Sequence, residues 1–184
     1  MADFLTDITT LRERARAEIE KGPITEAYDA DLDRVIEVCN EALATEIVCV
    51  LRYKRHYYTA TGIHSEAVAS EFLEHAADEQ RHADRLAERI AQLGGSPDFD
   101  PARLSSRSHT EYDASLGLVE MIREDLVAER IAIASYTEIA QWIGDGDPTT
   151  RRLFEELLAD EEDHADDLSS LLERLPEDLR RSGS

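Results

Sequence analysis

Two heptapeptides decide how this chain is read: Asp78-Glu79-Gln80-Arg81-His82-Ala83-Asp84 and Asp160-Glu161-Glu162-Asp163-His164-Ala165-Asp166. Both spell D-E-x-x-H-A-D, and each is followed two residues later by leucine, Leu86 and Leu168. Residues i and i+3 share a helix face, so Glu-x-x-His projects a carboxylate and an imidazole in the same direction. A single match means little in a chain with 41 acidic residues and six histidines. The second copy comes with matching company. Glu46 precedes Glu79 by 33 residues and Glu129 precedes Glu161 by 32. Seven residues after each of those upstream glutamates stands a tyrosine, Tyr53 and Tyr136. A repeat of this kind signals two similar structural halves.

Hydrophobic periodicity places these marks on four long helices. The first is expected from about Asp31 to Thr61, with apolar residues at Val35, Val38, Leu43, Ile47, Val50 and Leu51. The second opens near Ser65 and ends at Gly94-Gly95, and the third runs from about Ser115 to Ile143 and stops at Gly144. The fourth has Asp147 as N-cap, Pro148 at its first position and Pro176 at its end. Short loops around Gly62 and at Gly144–Asp147 make each pair an antiparallel hairpin. Ser96–Asp113 lacks helical periodicity and is long enough to cross the length of a bundle. The fold class is therefore all-α, a four-helix bundle of two hairpins joined by one long crossover. A short amphipathic helix over about residues 4–20, closed by Gly22-Pro23, makes an N-terminal extension of residues 1–30. The bundle occupies 31–175, and 176–184 form a short tail.

The chemistry follows from the convergence this topology implies. Two Glu-x-x-His motifs on facing helices, plus Glu46 and Glu129 from the other two, supply six ligands: Glu46, Glu79, His82, Glu129, Glu161 and His164. Four carboxylates carry four negative charges, which two divalent ions cancel. Without metal they would repel one another and be driven to protonate. Glu46 sits in Ala42-Leu43-Ala44-Thr45-Glu46-Ile47-Val48 and Glu129 in Leu126-Val127-Ala128-Glu129-Arg130-Ile131, surroundings in which an unpaired carboxylate is costly. Oxygen and imidazole donors without thiolate suit iron or manganese, and zinc can bind as well. Glu79 and Glu161 are assigned as bridges, Glu46 with His82 to one ion and Glu129 with His164 to the other.

At these residues the chain resembles the bacterioferritin and Dps-like branch of the ferritin superfamily, over about residues 31–175. The resemblance implies a ferritin-like bundle with two iron ions per subunit. It further implies ferroxidase activity, oxidation of Fe(II) by O2 or H2O2, with ferric mineral deposited inside a hollow homo-oligomeric cage that protects against oxidative stress. Tyr53 matches the ferroxidase-centre tyrosine of bacterioferritins and would be a hydrogen-bonding or redox-active neighbour of the metals. Bacterioferritins ligate haem through a methionine directly after the first motif glutamate. Here that position is Gln80, and the only methionines are Met1 and Met121, so methionine-ligated haem is not expected. Only 20 residues follow His164, too few for the fifth helix of 24-subunit cages, which favours a 12-mer. All six ligands lie in one chain, as in the Dps-like subgroup with a bacterioferritin-type site within each subunit.

Two other functions fit the same marks. One is a stand-alone di-metal oxidoreductase, a manganese catalase or rubrerythrin-like peroxidase, although no rubredoxin-type Cys-x-x-Cys is present. The other is a DNA-protecting shell with little catalysis. A formal charge of −21, with lysine only at Lys21 and Lys54, counts against direct contact with nucleic acid or anionic lipid. No apolar run approaches the roughly 20 residues of a membrane span, and no secretory signal opens the chain, so the expected location is the cytoplasm. Cys39 and Cys49, about 15 Å apart on one helix, cannot pair in a disulfide and read as small buried residues. Cys49 shares the face of Glu46, and His75 lies seven residues before His82. For both, an ordinary packing role is the simpler reading.

Overall fold

The computed structural model describes residues 6–17, 19–62 and 65–177, and the regular secondary structure among these is all helical. The order is α1 (Ile8–Arg16), a 3-10 turn (Ile19–Lys21), α2 (Leu32–Thr59), α3 (Ser65–Gln92), α4 (Leu104–Arg107), α5 (Leu118–Ile143) and α6 (Pro148–Arg174). The four long helices run 26 to 28 residues, or roughly 40 Å each at 1.5 Å per residue. Helix α2 packs chiefly on α3, and α5 on α6. Among the described residues no helix is long and apolar enough to cross a membrane.

The helix ends are local chemistry. Asp31 caps α2 by accepting from the Arg34 amide at 3.1 Å, and Asp147 caps α6 by accepting from the Thr150 amide at 2.9 Å, with Pro148 next. Gly94 (φ 81°) and Gly144 (φ 53°) end α3 and α5 in backbone conformations that a side chain disfavours.

Each long helix buries one stripe at helical spacing, and the stripe changes chemistry halfway along. On α2 it runs Val35, Val38, Ala42, Glu46, Cys49, Tyr53, His56; on α5 it runs Ile122, Asp125, Glu129, Ala132, Tyr136, Ile139, Ile143. On α3 and α6 the motif glutamates and histidines occupy the corresponding middle positions. One apolar cluster, with Leu43, Leu86, Ile90, Tyr136, Phe154 and Leu157, fills one end of the bundle. A second, with Tyr53, Phe72, Ala76, Met121, Ile122 and Leu168, fills the other. The polar layer is held between two dry layers. Each buried Leu or Phe contributes about 1.5–3 kcal/mol, so the flanking clusters can carry the cost of charge at the centre.

Three sequence expectations are corrected. The crossover is not without helix: Leu104 is buried against Ala44 and Val48 of α2, and that anchor nucleates the single turn of α4. The crossover is pinned further where Arg107 donates to the Asn40 carbonyl (3.2 Å) and Thr45 Oγ1 accepts from the His109 amide (2.9 Å). The N-terminal helix is shorter than expected, Ile8–Arg16, and buries no residue. Position 4, where it was expected to begin, lies outside the described residues, as do position 18 and the tail beyond 177. Residues 24–30 are not free of the bundle, because Ile24, Tyr28 and Ala30 pack on its first apolar cluster.

Candidate metal centre

Glu46, Glu79, Glu129 and Glu161 are each 1 % exposed, and His82 and His164 are 2 % and 5 % exposed. The side chains meet as two overlapping groups. Glu46, Glu79, His82 and Glu161 each offer a donor atom within 4.8 Å of the others, and so do Glu79, Glu129, Glu161 and His164. Glu79 and Glu161 belong to both groups. The imidazoles lie in near-parallel planes with ring centroids 6.1 Å apart. His82 Nδ1 is 3.2 Å from Glu79 and 3.1 Å from Glu161, and His164 Nδ1 is 3.2 Å from Glu161. All six residues of the sequence assignment thus sit around one point.

The far nitrogens are held from the opposite half. His82 Nε2 lies 3.0 Å from Asp160, and His164 Nε2 lies 3.4 Å from Asp78. The first aspartate of each D-E-x-x-H therefore orients the histidine of the other copy. With Nε2–H donating to these carboxylates, Nδ1 is the nitrogen left facing the centre, where it can offer a lone pair once a metal displaces its proton. The tyrosines cross over as well. The Tyr53 hydroxyl donates to Glu129, and the Tyr136 hydroxyl donates to Glu46. Tyr53, matched above to a ferroxidase-centre tyrosine, thus contacts the Glu129 carboxylate. Tyr136 does the same with Glu46, and sequence reasoning saw it only as a repeat mark.

Electrostatics show what this cluster requires. Burial, and then the charge of Glu79, push the Glu46 carboxyl up to about 8. Burial with Glu79 and Glu161 holds Glu129 well above the usual carboxylate range. Glu79 is also buried and faces Glu161, yet the neighbouring imidazoles of His164 and His82 keep it low. Against the desolvation of its ring, the carboxylates of Glu161 and Glu79 raise His164 to about 12, and those of Glu161, Glu46 and Glu79 hold His82 well above the usual imidazole range. Without metal the layer is tolerated because Glu46, Glu129 and the two imidazoles retain protons. Even so, Glu79 Oε1 and Glu129 Oε2 are buried without a hydrogen-bond donor. Such an atom costs about 1–3 kcal/mol, more when charged. Two divalent cations would satisfy both oxygens and replace the protons, so the residues fit a dinuclear metal site.

His75 was expected to be ordinary packing, and the structure places it at the centre's edge. Its ring stacks on His164 at 4.1 Å, and its Nδ1 is 3.2 Å from the Tyr53 hydroxyl. The seven-residue offset from His82 was the signal, two helical turns along the same face. Cys49 is buried, with its Sγ 3.6 Å from Arg52 Nη2 and from Thr110 Oγ1, and it joins neither donor group. Cys39 is likewise buried with a free thiol. Gln80 bonds Asp84 along its own helix at 3.0 Å. His56, in the last turn of its helix, is fully buried, 2.8 Å from Asp125, while Tyr58 is exposed.

Residues 36–177 match the family model of the ferritin-like domain. A bacterioferritin of Brucella melitensis is 34 % identical over 146 residues, covering 77 % of this chain and 84 % of its own. A DNA protection during starvation protein of Pyrococcus furiosus is 30 % identical over 164 residues, covering 87 % and 88 %. Among solved structures, the dodecameric thioferritin of Bacteroides fragilis, a bacterioferritin-related protein, superposes with a TM-score of 0.75 at 32 % identity, over 78 % of this chain and 87 % of that one. The helical order, the repeat and these similarities agree: the chain belongs to the ferritin-like family, in its bacterioferritin and Dps-like branch.

Proposed function

We propose that this protein is an iron-storage ferroxidase that binds two Fe(II) ions between Glu46, Glu79, His82, Glu129, Glu161 and His164 and oxidises them as a pair. The observation that carries this reading is the sharing of Glu79 and Glu161 between the two donor groups. Shared carboxylates hold two ions close enough to act together. Each Fe(II) yields one electron, so a pair supplies the two that reduce O2 to peroxide, or peroxide to water. As ions enter, protons held by the carboxyls and imidazoles leave, which keeps the buried charge near neutral. Tyr53 and Tyr136 hold the two terminal carboxylates, and Asp78 and Asp160 hold the two imidazoles.

Storage is supported by the similarity to bacterioferritins, and a cage of twelve by the similarity to the Bacteroides fragilis dodecamer. The chain's charge of −21 favours gathering cations and disfavours direct DNA contact. Gln80 provides no thioether for haem. The test is aerobic addition of many Fe(II) per subunit to the metal-free assembled protein, followed by size-exclusion chromatography with light scattering and elemental analysis. A ferric core should travel with the particle. Glu129→Ala should slow the initial oxidation at least tenfold while helicity and assembly persist. An unchanged rate in that variant, or a monomer that keeps no ferric core, overturns the reading.

A further inference from the structure

Next to the dinuclear centre the surface opens in a cavity of about 170 Å³. Six carboxylates and one cation, Arg81, surround His75 and His164 there. Within it Glu71, His75 and Asp167 offer donor atoms that all lie within 4.8 Å of one another. An acidic cluster alone would carry no weight, but His75 adds an independent observation. It is 1 % exposed, and its Nε2 has no hydrogen-bond partner. That nitrogen points at Glu71 (3.4 Å) and Asp167 (3.9 Å).

Which form of the ring is present follows from the other nitrogen. The Tyr53 hydroxyl has one proton, and donates it to Glu129. Toward His75 it can only accept, so Nδ1 carries the hydrogen and Nε2 carries a lone pair. A lone pair facing two carboxylates is an unfavourable arrangement unless a cation lies between them.

We propose that Glu71, His75 and Asp167 form a third, single-ion site for a divalent metal cation, at the mouth of the dinuclear centre. One imidazole and two carboxylates suit Fe(II), Mn(II), Co(II) and Zn(II). Donors this close need only small side-chain rotations to reach the roughly 2.0–2.2 Å of such bonds. Asp167 is half-exposed and Glu71 partly so, which lets them take a hydrated ion from solvent. His75 is the inner ligand, in contact with His164. As a staging point for iron the site rests on the ferroxidase reading above; its capacity to bind a cation does not.

The experiment is an anaerobic titration of the metal-free assembled protein with Co(II), read by visible absorption and calorimetry. Wild type should take up one more ion per chain than the Glu71→Gln/Asp167→Asn double variant. Those carboxylates reach solvent, so the variant should fold and assemble normally. His75→Leu should remove the same ion, and a crystal of the Co(II)-loaded wild type should show anomalous density between the three side chains. Equal uptake by wild type and both variants, or no density at that position, would overturn the site. The difference between proteins tests this proposal, whereas the number retained by the variants tests the dinuclear reading, which predicts two. Wild type with one ion and the variants with none would sink the pair and leave the third site standing.

Discussion

The two hairpins repeat one another at the centre and diverge on its flanks. Seven residues before His82 stands His75, and seven before His164 stands Leu157; eleven before, Glu71 faces Leu153; three after, Arg85 corresponds to Asp167. Phe72 and Phe154 match, each against a tyrosine, with ring centroids 6.0 Å from Tyr53 and 5.5 Å from Tyr136. Beyond that layer one side is polar and open, and the other is sealed by Leu157 and its neighbours. The same bias continues outward. Arg52, Asp125 and His56 form a fully buried network on the open side. Ser135, Ala42 and Ile139 stand at the equivalent repeat positions. A twofold-like core holds the two donor groups, and the broken repeat around it leaves one side open to solvent.

The largest expected effect lies in that buried network. Arg52 is 1 % exposed and bonds Asp125 at 2.8 Å, while a further bond to the Glu111 carbonyl (3.1 Å) ties it to the crossover. Asp125→Ala leaves a buried guanidinium without its counter-charge and should cost about 3–5 kcal/mol in denaturant unfolding. Ser135→Ala, at the repeat equivalent of Arg52, should stay within about 0.5 kcal/mol. Similar losses from both would mean that the asymmetry has no energetic content.

Next come the crossed aspartates, which test the symmetric part. Removing a partner of a metal-ligating histidine typically weakens metal affinity about 10–100-fold. Asp160→Ala and Asp78→Ala should both fall in that range for the first two Co(II) bound per chain, measured by chelator competition. The shorter contact, 3.0 Å against 3.4 Å, puts Asp160→Ala at the larger loss.

How much of this was legible beforehand depended on the kind of information each feature needs. Four long helices, two hairpins and a crossover follow from periodicity and from stop signals such as Gly94-Gly95 and Gly144, all of which are local. The six proposed ligands stood out because a repeated spacing is visible in one dimension. The partnerships of Asp78 with His164, and of Tyr136 with Glu46, depend on how one hairpin is rotated against the other. No spacing within a hairpin encodes that. His75 looked like packing because nothing in its helix shows that Tyr53 occupies its Nδ1 and leaves Nε2 facing carboxylates. The α4 turn went unseen because a lone Leu104, docked on Ala44 and Val48, makes no periodic pattern.

The centre should also titrate as one unit, opposite in sign with and without metal. Glu46, Glu129, His82 and His164 all hold protons more tightly in the folded, metal-free state than when unfolded. Their stabilising contribution is complete below the unfolded values and is lost as pH rises through the folded ones. Glu79, lowered by folding, has finished titrating well below pH 6.5, and His75, lowered from its ordinary 6.5, adds only a small opposing rise just above that pH. Between pH 6.5 and 8.5 the metal-free protein should therefore lose stability through all four groups, the Glu46 part ending near 8. Metal binding displaces those protons, so affinity for Zn(II) should rise over the same interval. Urea midpoints at the two pH values, with and without Zn(II), would show it. A metal-free midpoint that climbs with pH would break the account of the carboxylate layer.

The smallest effect separates the two tyrosines, and it bears most directly on why the halves differ. Each hydroxyl donates to the terminal glutamate of the other half, so Tyr53→Phe and Tyr136→Phe should each remove about 0.5–1.5 kcal/mol from the metal-free protein. Only the Tyr53 hydroxyl also accepts from a histidine. Once it is gone, His75 Nδ1 loses its partner, the ring is free to turn, and Nε2 no longer points reliably at Glu71 and Asp167. Tyr53→Phe should then weaken the third Co(II) several-fold and leave the first two nearly untouched, while Tyr136→Phe should leave the third unchanged. Equal weakening by both would show that the cavity is shaped by the bundle as a whole rather than by the single hydroxyl that orients His75.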